Sequence, residues 1–456
     1  MNKIIMHKII FILAGVIAAV TFASEASALP VFARQTGMEC AACHFQHFPM
    51  LTSFGRAFKS GAFSMVGAQA QVEGDNMSIP GVLNAAILTT MGYQKNNSDS
   101  QATIDAANGT AFSAAGVRTT GDGSVYVPGT NGEFSLFVGG RTSANSGALA
   151  EVGLLQSGGV GAGLASAKFP MLWEVTDGTR AGIVPFTTNG QGASYGFEEL
   201  NTGANAIHTM LFVGGDFNGS VAPALSAQQY IGTAQPATGA ALVLNNANYF
   251  VNVTKFHGVG TNDLGGVGAA LTSTYLRGAF IFDMAGWDSA VGVQSWSGVS
   301  TDSSAANLAT TKATAIDGQM QGAVGNMPLG IYASFARAPV DAAVVNIFNM
   351  DANGVAGTDT KSSFNISAEL GVIPEKATIG FGIRRGKSGQ DMGLLAGGAA
   401  TGNASDNAIL LEGSYKLAQN MLLNLVYVSQ SGGYWDAANT SLHGSKETLV
   451  NLAVIW

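Results

Sequence analysis

The 456-residue chain is 47% hydrophobic and only 11% charged, with 61 glycines and a formal net charge of −8. Its charged fraction is less than half the ~25% of an ordinary soluble domain, and its mean hydropathy is positive, at +0.24. That balance excludes a basic nucleic-acid footprint and points to a membrane protein.

The start of the chain reads as an export signal. Lys3 and Lys8 form a basic beginning, residues 9–20 an apolar core, and Ala26-Ser27-Ala28 a small-residue cleavage site. Residues 1–28 are therefore set apart from the fold. The apolar run is shorter than the ~20 residues of a spanning helix, so an uncleaved anchor is the weaker reading. No later charge-free apolar run is long enough to span as a helix, which leaves strands as the means of crossing a bilayer.

The only two cysteines are Cys40 and Cys43, and His44 follows directly. Cys-x-x-Cys-His is the attachment spacing of c-type haem. Each thiol adds to one vinyl group of the porphyrin, and the residues between them match the separation of the vinyls. His44 then stands where its imidazole can ligate the iron from one face. A disulfide across the same spacing would leave His44 unexplained. A zinc site from Cys40, Cys43, His44 and His47 is poorly spaced for a tetrahedron. One covalently bound haem c is the predicted cofactor, with His44 as proximal ligand. For the distal position, His47 lies too close to His44, and Met38 is less suited. Met50 and Met65 are the candidates with enough intervening chain, and plain packing is the competing role of each. The segment 29–75 is near the lower size limit for an independent fold, so it is expected to dock against or inside the rest.

Residues 76–456 read as an all-β transmembrane barrel of antiparallel strands. Phe364, Ile366, Ala368, Leu370 and Val372 alternate with Asn365, Ser367, Glu369 and Gly371. After Ile373-Pro374-Glu375, Ala377, Ile379, Phe381 and Ile383 alternate with Thr378, Gly380, Gly382 and Arg384. Ile409, Leu411, Gly413, Tyr415 and Leu417 oppose Leu410, Glu412, Ser414 and Lys416, and a new strand starts at Met421. At ~9–11 residues per membrane strand, about 16 strands fit the length, with 14 or 18 as alternatives because the earlier part is less regular. Nine strand-like segments follow Leu271. The last strand carries Val450, Leu452, Val454 and the terminal Trp456 on one face. Tyr415, Tyr427, Trp287 and Trp296 are candidates for interfacial girdles. Residues 96–131 and 395–406, rich in small polar residues, are expected as external loops. An even strand count brings both barrel ends to one side, the periplasm. A soluble β-sandwich fits the alternation but neither the low charge nor the aromatic terminus.

One block carries a family likeness. It runs from Pro30-Val31-Phe32-Ala33-Arg34-Gln35-Thr36-Gly37 through Cys40-Ala41-Ala42-Cys43-His44. It continues in Phe48-Pro49-Met50-Leu51 and Phe54-Gly55-Arg56-Ala57-Phe58-Lys59. It resembles the fused monohaem cytochrome–porins of iron-oxidising bacteria, which are outer-membrane Fe(II) oxidases. Weaker likenesses lie at Gly140-Arg141, at Asn145-Ser146-Gly147-Ala148-Leu149 and at Tyr195-Gly196-Phe197-Glu198-Glu199-Leu200-Asn201-Thr202-Gly203. The remaining barrel matches in architecture and length only. The resemblance implies an iron oxidoreductase that oxidises Fe(II) outside the cell. It also implies a periplasmic cytochrome c or cupredoxin as electron acceptor. The Tyr-Gly-Phe-Glu stretch is expected either to fold into the lumen near the haem or to be an ordinary inter-strand turn. The scarcity of titratable carboxylates suits an acid habitat, where a high-potential methionine ligand would be favoured. Two rival readings are a solute porin plugged by the haem segment, and electron exchange with a mineral or organic donor. Asp351, Asp359 and Asp406 either gather cations at the loops or keep those loops solvated.

Overall fold

The computed structural model describes residues 31–75, 77–97, 123–128, 132–155, 163–202, 226–258, 270–301, 308–341, 344–350, 356–391, 400, 402–433 and 446–456. The predicted export signal, Asp351, most of the predicted loop 96–131, and residues 395–399 and 401 of the predicted loop 395–406 lie outside them. Among the described residues no helix is long and apolar enough to cross a membrane.

Nineteen strand segments close into one antiparallel barrel. Six of them are collinear halves of three staves: Ser124–Tyr126 with Phe134–Ser143, Gly163–Lys168 with Met171–Thr176, and Leu308–Thr310 with Ala313–Val324. The wall therefore has sixteen staves, the expected number, and nine of them follow Leu271. The break at Phe169-Pro170 has a simple cause, since a proline has no N–H to give to the ladder. Ser124–Tyr126, placed inside the expected loop 96–131, instead continues the wall by pairing with Gly92–Gln94. Likewise Ser405 and Asp406, placed in the expected loop 395–406, already belong to the strand Ser405–Ala418.

The first stave, Ala85–Asn96, pairs with the last, Lys446–Ile455, and closes the cylinder. Ile87 and Trp456 exchange backbone hydrogen bonds at 2.8 and 3.0 Å. Both barrel ends thus lie at the same rim, as an even count requires. Tight turns gather at that rim. In one of them Ala285 and Gly286 have φ of 56° and 83°, the left-handed pair that matches a hairpin to the twist of its strands. The longer connections occupy the opposite rim.

Side chains alternate as the sequence demands, with the polarity of a soluble protein reversed. In Lys361–Ile373, Phe364 and Ile366 are 44% and 40% exposed, whereas Asn365 and Glu369 are both at 0%. An apolar exterior round a polar lumen is what a closed barrel presents to lipid. Tyr427 faces outward as expected for a girdle residue, and Trp287 and Tyr415 are half-buried. Trp296 does not join a girdle. It shares the lumen face with the buried Gln294, is 4% exposed, and packs on Tyr275 with ring centroids 4.8 Å apart. The period-two alternation of the strand decides its side, whatever the preference of the ring.

The N-terminal segment forms three short helices, α1 (Val31–Thr36), α2 (Cys40–Cys43) and α3 (Ser53–Ser60), then a hairpin of Gln71–Gly74 with Met77–Pro80. Thr52 caps α3 by accepting from the Gly55 amide at 3.1 Å. A Cβ at Gly55 would lie 2.1 Å from the Cys43 carbonyl oxygen, so only glycine lets α3 cross the end of α2. The segment seats in the tight-turn mouth of the barrel. Gln46 donates to the carbonyls of Pro328 and Glu369, and the Cys40 thiol lies 3.9 Å from the Gln419 carbonyl.

Candidate functional site

Helix α2 sets the two thiols one turn apart, both partly exposed and both free. Burial pushes both thiols up from their ordinary value, with Lys416 pulling Cys40 the other way. His44 leaves the helix in an extended conformation and bridges to Leu51. Its Nδ1 lies 3.1 Å from the Met50 carbonyl oxygen. A carbonyl only accepts, so Nδ1 carries the proton and Nε2 keeps its lone pair. Burial lowers the His44 pKa to about 4 against the pull of its backbone partners, which keeps the ring neutral. A neutral imidazole oriented through its other nitrogen is the form that binds a metal. Free thiols on one turn and a pre-oriented imidazole fit a thioether-bound porphyrin.

The other candidate ligands are placed differently. Met50 is fully buried, meets His44 through its backbone carbonyl, and packs its side chain with Tyr126, Tyr332, Leu410 and Val426. Its backbone therefore stands on the Nδ1 side of the ring. Met65 is 37% exposed, and its carbonyl accepts from Gln35. His47 shares no helix with His44. The chain turns at Gln46, with φ of 63°, and carries His47 to the barrel wall. There its Nε2 lies 2.9 Å from Glu369 Oε2, and Nδ1 lies 2.8 Å from the Phe48 carbonyl. Burial alone would lower its pKa, but the Glu369 carboxylate, helped by Glu412, pushes it up to about 9. His47 is thus an imidazolium clasp between the motif and the wall. Among the described residues no group of three or more His, Cys, Asp or Glu is gathered to hold a metal ion.

A second clasp comes from α3. Arg56 is buried and binds both oxygens of Asp288 at 2.8 and 2.6 Å. On the same helix, burial lowers Lys59 to about 8 against the pull of Glu198 and Glu199. Burial raises Glu199 to about 8 against Arg56 and Lys59.

The Tyr195–Thr202 stretch folds into the lumen. A 3-10 turn, Ala193–Tyr195, starts the inward path. Asn201 then meets the haem-motif segment in both directions, accepting from the Leu51 amide at 2.8 Å and donating to its carbonyl at 3.3 Å. Glu198 accepts from Arg277 Nε at 2.9 Å, and Arg277 also donates to Asp317 at 2.7 and 3.0 Å. Thr202 and Gln294 complete the shell of Asp317. Sequence reasoning missed this knot. The available signal was a charged residue, Arg277 and Asp317, in the middle of the lumen face of each of two alternating strands. Of the acidic residues proposed for cation gathering, Asp359 pairs with Lys387 and Asp406 with Arg384.

No protein-family model matches the chain, and no curated protein matches it. Solved structures similar to it include OmpF of Salmonella typhi, in complex with daunomycin, at 10% identity and TM-score 0.47, over 85% of this chain and 100% of that one. The outer membrane channel DcaP of Acinetobacter baumannii is similar at 10% identity and TM-score 0.46, over 82% of this chain and 97% of that one. A mutant porin of Rh. blastica follows at 9% identity and TM-score 0.44, over 82% and 99%. At this level of similarity none of them assigns a residue of the site.

Proposed function

We propose that this chain is an outer-membrane electron-transfer protein of the fused cytochrome–porin kind. In this reading Fe(II) outside the cell is the donor. A periplasmic cytochrome c or cupredoxin is the acceptor. The observation that carries the reading is the Cys40-x-x-Cys43-His44 turn, with its imidazole oriented by the Met50 carbonyl, seated in the mouth of a closed barrel.

Haem c, when bound, supplies a one-electron centre whose chemistry belongs to its iron. Cys40 and Cys43 would hold it through thioethers, and His44 Nε2 would be its proximal ligand. Met50 orients that ring through its backbone. The clasps His47–Glu369 and Arg56–Asp288 bind the motif to the wall. Ferric iron is insoluble near neutral pH, so oxidation outside keeps the precipitate out of the periplasm. A barrel provides passage across a bilayer that a soluble cytochrome cannot enter.

The fold by itself also suits a solute pore. Against a wide pore stands the filling of the lumen. The N-terminal segment enters from one rim, while residues 193–202 and the short helix Ala227–Tyr230 occupy the interior. The test is direct. Protein matured in cells with intact haem-attachment machinery should carry the mass of one porphyrin. Stopped-flow mixing with Fe(II) should then raise the reduced-haem absorption bands. A chain without the porphyrin mass, or with large conductance in planar bilayers and no reduction by Fe(II), would sink the reading.

A further inference from the structure

The outer wall of the barrel is not uniform. Among the described strand residues, the exposed outward-pointing cations are Lys95, Lys255, Arg337, Arg385, Lys387 and Lys446, and each lies within a few residues of the long-connection rim. A ring of cations just above the apolar band meets the headgroup layer of the bilayer.

Within that ring one sector brings two arginines next to a groove in the wall. Lys387 is neutralised by Asp359, and Lys255 donates to Thr274. Arg337 and Arg385 make no side-chain hydrogen bond or ion pair among the described residues. They belong to the strands Met327–Ala338 and Ala377–Lys387, which flank Lys361–Ile373. Arg385 stands opposite Phe364, and Arg337 stands opposite Ser362 in the next row towards the rim. Strand spacing and rise put their Cα atoms roughly 10 Å apart across the sheet and about 7 Å apart along it.

Beside Arg385, and one row further from the rim than Arg337, the wall has a shallow, open groove of about 630 Å³ that runs from Phe364 across the strands of Phe335, Ile316 and Val293 to Gly278. Its floor is made of small outward residues, Gly278, Gly318 and Ala333, and its rim of Val293, Ile316, Phe335 and Phe364. Phe364 links the two features, because it lines the groove and pairs across the ladder with Arg385. Two separate observations thus meet in one sector: an apolar groove in the wall, and two planar cations beside it that have no ion-pair partner among the described residues.

We infer that this sector binds one molecule of the outer leaflet's phosphorylated glycolipid, with an acyl chain in the Gly278–Gly318–Ala333 groove and phosphates on Arg337 and Arg385. Guanidinium forks suit phosphate oxygens. Two cations set well apart suit a headgroup with two separated phosphates better than one with a single phosphate. The assignment to the outer leaflet rests on the orientation in the proposed function, with the tight-turn rim in the periplasm. The lipid chemistry itself does not depend on haem.

The experiment is native mass spectrometry of the full-length protein in detergent. Diphosphoryl lipid A, monophosphoryl lipid A, phosphatidylglycerol and phosphatidylethanolamine are each added in turn. Wild type should keep one diphosphoryl lipid A, and the monophosphoryl form should bind more weakly. The double variant Arg337→Gln with Arg385→Gln should lose about tenfold or more in affinity. Ala333→Phe should weaken binding by filling the groove while leaving both cations in place. Heat-modifiability on gels reports that each variant has folded. Rising salt should weaken the wild type more than the double variant. Equal binding of phosphatidylglycerol, or unchanged affinity in the double variant, would overturn the site. So would protomers associated through this face without lipid and separated by Ala333→Phe. The same spectra read the porphyrin mass, so lipid binding to a porphyrin-free chain keeps this site and sinks the haem reading. Thr358→Cys should label with an impermeant thiol reagent on intact cells, and labelling only after permeabilisation would overturn the outer-leaflet assignment.

Discussion

On the strand Lys361–Ile373, Phe364 and Asn365 are neighbours in the chain and face different media. Outward, Phe364, Ile366 and Phe381 need only be apolar, and one aliphatic residue serves nearly as well as another. Inward, Arg277, Asp317, Glu369 and Asn424 are buried, so each must find a named partner. The outer face is specified by composition. The inner face is specified by pairing, and so its contacts are individual.

That contrast can be broken in three places. The largest effect is expected in the lumen. Arg277→Met leaves Glu198 and Asp317 without their shared cation, and loss of one partner of a buried ion cluster costs ~3–5 kcal/mol. Urea unfolding in detergent micelles measures it, and an unchanged midpoint would remove the distinction between the faces. Next comes the lipid side. Phe381→Arg sets a charge in the middle of the apolar band, at a cost of ~2–4 kcal/mol. Here the barrel should fold more poorly into vesicles, with its lumen contacts untouched.

The smallest effect concerns docking. The folded pKa of His47 is about 9, above its ordinary 6.5, so its contribution is complete below about 6.5 and is lost as the pH rises through 9. Protease protection of the N-terminal segment should therefore be firm at about pH 6 and should loosen by about pH 10. His47→Gln should be equally loose at both values. A wild-type profile that stayed flat would mean that Arg56–Asp288 and the Asn201–Leu51 bonds hold the segment alone.

Much of the wall was legible in the chain because a two-residue period maps each residue to a face without reference to anything distant. The nine staves after Leu271 are of this kind. The same rule corrected the reading of Trp296, whose ring chemistry had suggested a girdle while its position in the strand dictated the lumen. The earlier staves were harder because they are interrupted, at Phe169-Pro170 and between Tyr126 and Phe134.

The Cys-x-x-Cys-His motif is local, and Cys40, Cys43 and His44 could be picked out from spacing alone. Their setting could not. Glu369 is separated from His47 by 322 residues and Asp288 from Arg56 by 232, and nothing in either neighbourhood names the other. By itself the amino-acid order determined the class of fold, the approximate number of staves, the faces of the regular later strands and the Cys-x-x-Cys-His spacing read here as a haem site. Only closure of the barrel decided which side chains meet inside it. Closure brings distant staves to face one another across a lumen, and a charge buried there stays only where another charge or a hydrogen bond receives it.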